Sequence, residues 1–261
     1  MTAVFASGLF AGRTALVTGG GTGIGFAIAE ELGALGASVI IAARDADRLA
    51  AASARLKDQG IDCTWHQVNI RDEKQVAAIF DALAADERLP DILVNNAGGQ
   101  FEAPALRISP NGFRAVVDLN LAGTWHMSQA FAKRRIEGPG GGRIVNIVLS
   151  IEGGSPGYAH AAAARAGVIN LTKTLALEWA PHGLTVNAVA PGTIRTSGID
   201  QYDPARIQAG VAALPIKRMG EPREVARAVA FLASPAGDYV TGATLFVDGG
   251  KHLARRPATT D

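Results

Sequence analysis

The residues best able to do chemistry fall in two places along the chain. Near the start, TGGGTGIG at 18–25 stands between a short apolar run and a helical pattern. Glycines in that setting let the backbone turn sharply and approach a pyrophosphate, whose charge meets the N–H groups and dipole of the helix start. Gly19, Gly21, Thr22, Gly23, Ile24 and Gly25 are therefore the candidate cradle, with an ordinary glycine turn as the alternative. The second apolar run ends in IIAARDADRL, where Ala43 stands in the place of the acid that would hold a ribose diol, and Arg44 follows. An arginine fork suits a phosphate dianion, so NADP(H) is favoured over NAD(H) unless Arg44 merely points into solvent. Asp45, one step later, reads as the cap of the next helix.

The second place is GYAHAAAARAGVINLTKTLALEWA at 157–180, a helical stretch whose one phenol, Tyr158, comes seven residues before its first cation, Arg165. His160 sits in the same first turn, where a histidine is expected to be solvated. No set of metal ligands stands out.

Bulk properties limit the partners. The chain has 261 residues, 48% of them hydrophobic and 19% charged, enough for one large folded core. A net charge of +1 gives no reason to expect nucleic acid or an acidic membrane. One cysteine, Cys63, excludes an internal disulfide and fits a reducing compartment. No apolar run approaches the ~20 residues that span a bilayer. The start lacks a signal-peptide pattern and the end an address motif, so a cytoplasmic protein is expected.

The elements that must position these residues are seven apolar runs: 14–18, 38–42, 63–68, 91–96, 142–149, 185–190 and 244–248. Most are continuously apolar, as strands buried on both faces are. Helical patterns such as GIGFAIAEELGALG separate them. The alternation predicts an α/β fold, a single doubly wound, Rossmann-type parallel sheet with helices on both faces and no second domain.

Several motifs together resemble the short-chain dehydrogenase/reductase family: TGGGTGIG at 18–25, NNAG at 95–98, Asn120 in DLNLAGT, IVNI at 144–147 and VNAVAPGTIRT at 186–196. Their order and spacing match from about Arg13 to Gly250. The resemblance implies that Asn69 and Ile70 flank the adenine. It places Asn96, Ala97 and Gly98 along the cofactor, and the segment Pro191, Gly192, Ile194 and Thr196 at the carboxamide. It also implies a homotetramer or homodimer built partly on the helices near 111–136 and 158–180, and a substrate lid at about 196–219 that carries Tyr202. Gln100, Phe101 and Ser150 are further candidate substrate contacts.

The departures are informative. Family members that reduce ketones use a Ser, a Tyr and a Lys, and the aligned positions here are Val148, Ala161 and Arg165. Asn120 is retained. NNAGGQF, VNIRDE and the ARAG helix are similar to the peroxisomal trans-2-enoyl-CoA reductases and their bacterial relatives. Ketone reduction needs an acid that protonates oxygen, the Tyr tuned by its Lys. Hydride addition to an enoyl thioester instead builds an enolate, which needs hydrogen-bond donors aimed at oxygen, each worth ~3 kcal/mol of barrier. Arg165 keeps the ribose-binding half of the Lys role, and Asn120 and Tyr158 are the expected donors. The expectation is an NADPH-dependent reductase acting on an acyl thioester. Two readings stand beside it: an alcohol or carbonyl dehydrogenase with Tyr158 recruited as acid, and a non-catalytic NADP(H)-binding protein.

Overall fold

The computed structural model describes residues 4–201 and 203–254. Seven strands form one parallel sheet: β1 Thr14–Thr18, β2 Ser38–Ala43, β3 Cys63–Gln67, β4 Ile92–Asn95, β5 Gly142–Ile147, β6 Leu184–Pro191 and β7 Thr244–Val247. Their order is β3-β2-β1-β4-β5-β6-β7. Between β1 and β4 the winding reverses, so the crevice beyond the carboxyl ends of these strands is where such a fold takes a ligand.

Alternate residues of each strand feed two cores. Val17, Ile41, Val94 and Val189 pack under α1 Gly23–Ala34, α2 Ala46–Asp58 and α8 Pro222–Ala233. Leu16, Ile40, Leu93 and Ile144 pack on the other face, under α3 Glu73–Ala85, α5 Gly123–Ile136 and α6 Ala159–Trp179. Leu16 and Ile40 are wholly buried, and truncating such a side chain to Ala costs about 2–5 kcal/mol.

The apolar runs become strands with ends shifted by up to two residues, β5 stopping at Ile147 rather than at 149. The edge strand β3 departs from the expected continuous burial: its residues alternate between covered and open because only one neighbour and one face cover it. Asp45 caps α2 by accepting from the Arg48 N–H and pairs with the Arg48 side chain, as its position suggested.

The helix before β5 is broken in character. α4 Pro110–Val117 runs into a π-helical turn, Asp118–Ala122, and then into α5. The wide turn contains Asn120 and sets it inward, a local geometry that recurs at functional positions. α7 Pro204–Ala212 lies within the expected lid segment. Among the described residues no helix is long and apolar enough to cross a membrane.

Candidate active site

β1 ends at Thr18, and the chain turns through the glycine run into α1. Gly19 takes a left-handed φ of 66°, and a Cβ there would lie 2.8 Å from the Asn96 amide nitrogen. That amide donates to the Thr18 and Gly19 carbonyls at 3.0 and 3.3 Å, while the Thr18 hydroxyl accepts from the Asn96 and Ala97 N–H groups. The end of β4 is thus stitched to the glycine turn. Thr22 caps α1 without a side-chain hydrogen bond, and no acid lies in the first turn. The helix therefore offers bare N–H groups and a positive dipole end.

These N–H groups face a cleft of about 360 Å³ lined by Gly19, Thr22, Gly23, Ile24, Gly25, Arg44, Asn69, Ile70, Asn96, Ala97, Gly98 and Thr196. Arg44 is exposed on its rim, and among the described residues no carboxylate pairs with its guanidinium. Five expected cofactor residues stand outside the lining, the buried Arg165 and four others. Gly21 packs near Arg48 instead. Pro191 closes β6 and accepts from the Ser150 N–H, and Gly192 lies against Asp248, where a Cβ would come 2.7 Å from the Asp248 Cα. Ile194 is buried in a bridge to Gly220. These positions shape the backbone rather than the cleft wall.

Deeper in, the loop from Gly98 to Ala103 runs along α6 from its second turn to its start. Arg165 touches Gly98, so no side chain fits there. Its guanidinium donates to the Ile147 carbonyl at 2.9 Å and is 7% exposed. Among the described residues no carboxylate neutralises it. Burial pulls its pKa down to about 10, so it remains charged at neutral pH. A buried cation without a counter-charge is costly unless a ligand completes it. The glycine turn, the bare helix start, the Arg44 rim and this buried cation together fit a dinucleotide.

The expected donors are already engaged. Asn120 accepts from the Gly99 N–H and donates to the Gly99 carbonyl, both at 2.9 Å. Both ends of its amide thus fix the loop, and one amide N–H remains beyond these two bonds. Ser150 donates to Asp248 at 2.6 Å and is buried, so it is not placed as a substrate contact. Tyr158 caps α6, and its hydroxyl donates to Glu102 at 2.9 Å. Tyr158 thus joins the rim, next to Gly157, whose carbonyl accepts from Ala103. Gln100 is half-buried in the same loop, and Phe101 is 40% exposed. Tyr202 lies outside the described residues.

Three residues were missed or misjudged. His160 is wholly buried rather than solvated, with the Phe101 ring edge-on at 4.2 Å between centroids. Its cover comes from a loop 59 positions earlier, which helix position alone does not announce. Glu102 and Asp248 were not singled out. An acid set among Phe101, Ala103 and Pro104 was the available signal for Glu102. Asp248 gathers Ser150, the Gly250 N–H and both the N–H and ring of His252. Burial raises the Asp248 pKa, but these hydrogen bonds outweigh it and hold the carboxyl below its ordinary range.

A family model described as Enoyl-(Acyl carrier protein) reductase matches residues 19–252. The chain belongs to the short-chain dehydrogenase/reductase family. It is 36% identical to the peroxisomal 2,4-dienoyl-CoA reductase [(3E)-enoyl-CoA-producing] of Arabidopsis thaliana, over 98% of this chain and 89% of the other. It is 42% identical to the cis-4-hydroxycyclohexanecarboxylate dehydrogenase of Sinomonas cyclohexanicum, over 92% and 97%. Among solved structures, a gluconate 5-dehydrogenase from Burkholderia cenocepacia in complex with NADP and tartrate superposes with a TM-score of 0.88 at 36% identity, over 94% and 97%. The chain is thus a short-chain dehydrogenase/reductase-type oxidoreductase of small molecules. In the family's Tyr position, Ala161 is wholly buried, and no phenol occupies that point of the helix.

Proposed function

We propose that the protein reduces the α,β double bond of an enoyl thioester, a trans-2-enoyl-CoA, with NADPH. The observation that carries this reading is the pairing of a buried Ala161 with a buried Arg165, which keeps a positive charge where the family has its Lys. The oxygen-protonating phenol is gone, while the cation beside Gly98 remains. Hydride addition to the β carbon leaves charge on the thioester oxygen and places the final proton on carbon, so it needs no tuned phenol.

In this reading a dinucleotide lies in the cleft with its pyrophosphate at the start of α1 and its 2′-phosphate at Arg44. Asn69 and Ile70 flank the adenine, and the segment Gly192–Ile194 shapes the carboxamide end. When bound, the cofactor supplies a hydride. Arg165 holds the nicotinamide ribose, Asn120 keeps the Gly98–Gly99 loop in place, and the segment from Thr196 to Met219 closes over the acyl chain. The relative named as a dienoyl-CoA reductase supports the substrate class, and the neighbour solved with NADP supports the cofactor. A cytoplasmic homotetramer or homodimer belongs to the same proposal, consistent with one free, buried Cys63 and a nearly balanced charge.

A second reading is favoured by one contact. Tyr158 donates to the Glu102 carboxylate, a pair able to take a proton from an alcohol, and a 42% identical relative is named a dehydrogenase. Tyr158→Phe decides between them. The enoyl reading expects the variant to keep most of its NADPH-dependent reduction of trans-2-enoyl-CoA, whereas the alcohol reading expects activity on alcohols to vanish.

A further inference from the structure

Ser150 and Tyr158 donate to carboxylates and one Asn120 N–H is held by Gly99, so the enoyl reading directs attention to further donors for the thioester oxygen. Among the described residues one buried imidazole has an unspent atom. His160 Nδ1 accepts from the Ala161 N–H at 2.7 Å, which leaves that nitrogen without a proton and puts the ring proton on Nε2. His160 Nε2 is fully buried and has no hydrogen-bond partner. Burial also lowers the His160 pKa. The ring is therefore neutral at pH 7, with one N–H to give. An orphaned donor in a core is costly, and a cost retained beside a site is a reason to look for its acceptor.

The position suits that task. The loop from Gly98 to Glu102 lies along α6, with Gly98 on Arg165, Phe101 on His160 and Glu102 on Tyr158. His160 thus falls between the buried cation at the nicotinamide end and the phenol at the rim. Five residues of helix separate it from Arg165, about 7.5 Å of rise. Phe101 packs edge-to-face with the imidazole and is itself 40% exposed. Its other side rests near Gly112, where a Cβ would lie 3.0 Å from the ring.

We propose that the Nε2–H of His160 is the hydrogen-bond donor to the thioester carbonyl oxygen, uncovered when an arriving acyl chain displaces the Phe101 ring. The proposal rests on the enoyl-thioester reading. The hydride joins Cβ, the Cα–Cβ π pair moves to form the enolate, and its charge settles on the oxygen that His160 holds. A water then gives a proton to Cα. His160 keeps its own proton throughout.

The test uses full-length protein with His160→Leu, which removes the donor at similar volume, and His160→Gln, which restores an N–H. NADPH oxidation with trans-2-enoyl-CoA should fall at least 100-fold in kcat in the Leu variant with KM little changed. The Gln variant should recover tenfold or more. A merely structural histidine would not show that split. In parallel, ¹⁵N-histidine spectra of the wild type with NADP⁺ are followed while a saturated acyl-CoA is added, the His160 signal being assigned by its loss in the Leu variant. The Nε2–H resonance should move downfield. Near-normal kcat in the Leu variant, or an unmoved resonance, would overturn the proposal. If the wild type turns over no enoyl thioester, the enoyl reading fails, and the resonance alone still decides whether His160 meets an acyl thioester.

Discussion

Asn120 grips Gly99 at both backbone groups, accepting from its N–H and donating to its carbonyl at 2.9 Å each. The π-helical turn at Asp118–Ala122 makes this possible by setting Asn120 inward. This side chain holds the start of the loop that meets Arg165 at Gly98 and places Phe101 on His160, while the Ala103 N–H and Glu102 tie its far end to the start of α6.

Asn120→Ala should therefore cost stability as well as rate, because it strips partners from two backbone groups of a part-buried loop. Chemical denaturation should show a loss of about 1–3 kcal/mol. Asn120→Asp, which still accepts from Gly99 but no longer donates to it, should fall between the two. An Ala variant as stable as the wild type but inactive would make Asn120 a substrate donor.

Arg44→Ala should weaken NADPH far more than NADH, since only the former carries the phosphate that a rim guanidinium would meet. Titration of both cofactors should show the NADPH preference reduced about tenfold or more, equivalent to about 1.4 kcal/mol. Equal losses for the two cofactors would remove the phosphate from this rim.

Arg165→Met separates binding from stability. Burial lowers the Arg165 pKa to about 10. The unfolded chain therefore holds the proton more tightly, and the cost of burying the charge is fully present below that pH. It is relieved only as pH rises from about 10 toward the ordinary arginine value. At pH 7.5 the Met variant without cofactor should thus melt at the same temperature or higher, while cofactor affinity falls about tenfold or more. A lower melting point with intact affinity would make Arg165 a structural residue.

Ser150→Ala should act through Asp248. At neutral pH the loss of a hydrogen bond to a buried carboxylate should cost about 1.5–3 kcal/mol. Asp248 has a folded pKa below its unfolded one, so its contribution is present above the ordinary carboxylate range and lost as pH falls through the folded value. The Ser150→Ala penalty should shrink in that acid window. A penalty independent of pH, with activity lost, would put Ser150 at the substrate.

Much of the frame was legible because its signals are local. Thr14–Thr18 reads as a strand from five consecutive residues, and the glycine run announces its turn by composition. Asp45 could be assigned as a cap from its position alone. The catalytic candidates were not legible, since their partners are distant in the chain: Asn120 with Gly99, Tyr158 with Glu102 and Ser150 with Asp248 lie 21, 56 and 98 residues apart. Sequence spacing shows which groups a helix offers. It does not show which of them the fold has already used, and the burial of His160 under Phe101 is such a case.

The central claim, that loss of the phenol at Ala161 marks a change of reaction, is tested most directly by supplying NADPH with a trans-2-enoyl-CoA and with its 3-oxoacyl-CoA counterpart, side by side. NADPH should be consumed with the enoyl compound and not with the 3-oxo compound. Consumption with the 3-oxo compound alone would contradict it, because an acid for oxygen would then exist elsewhere, with Tyr158 the first to examine.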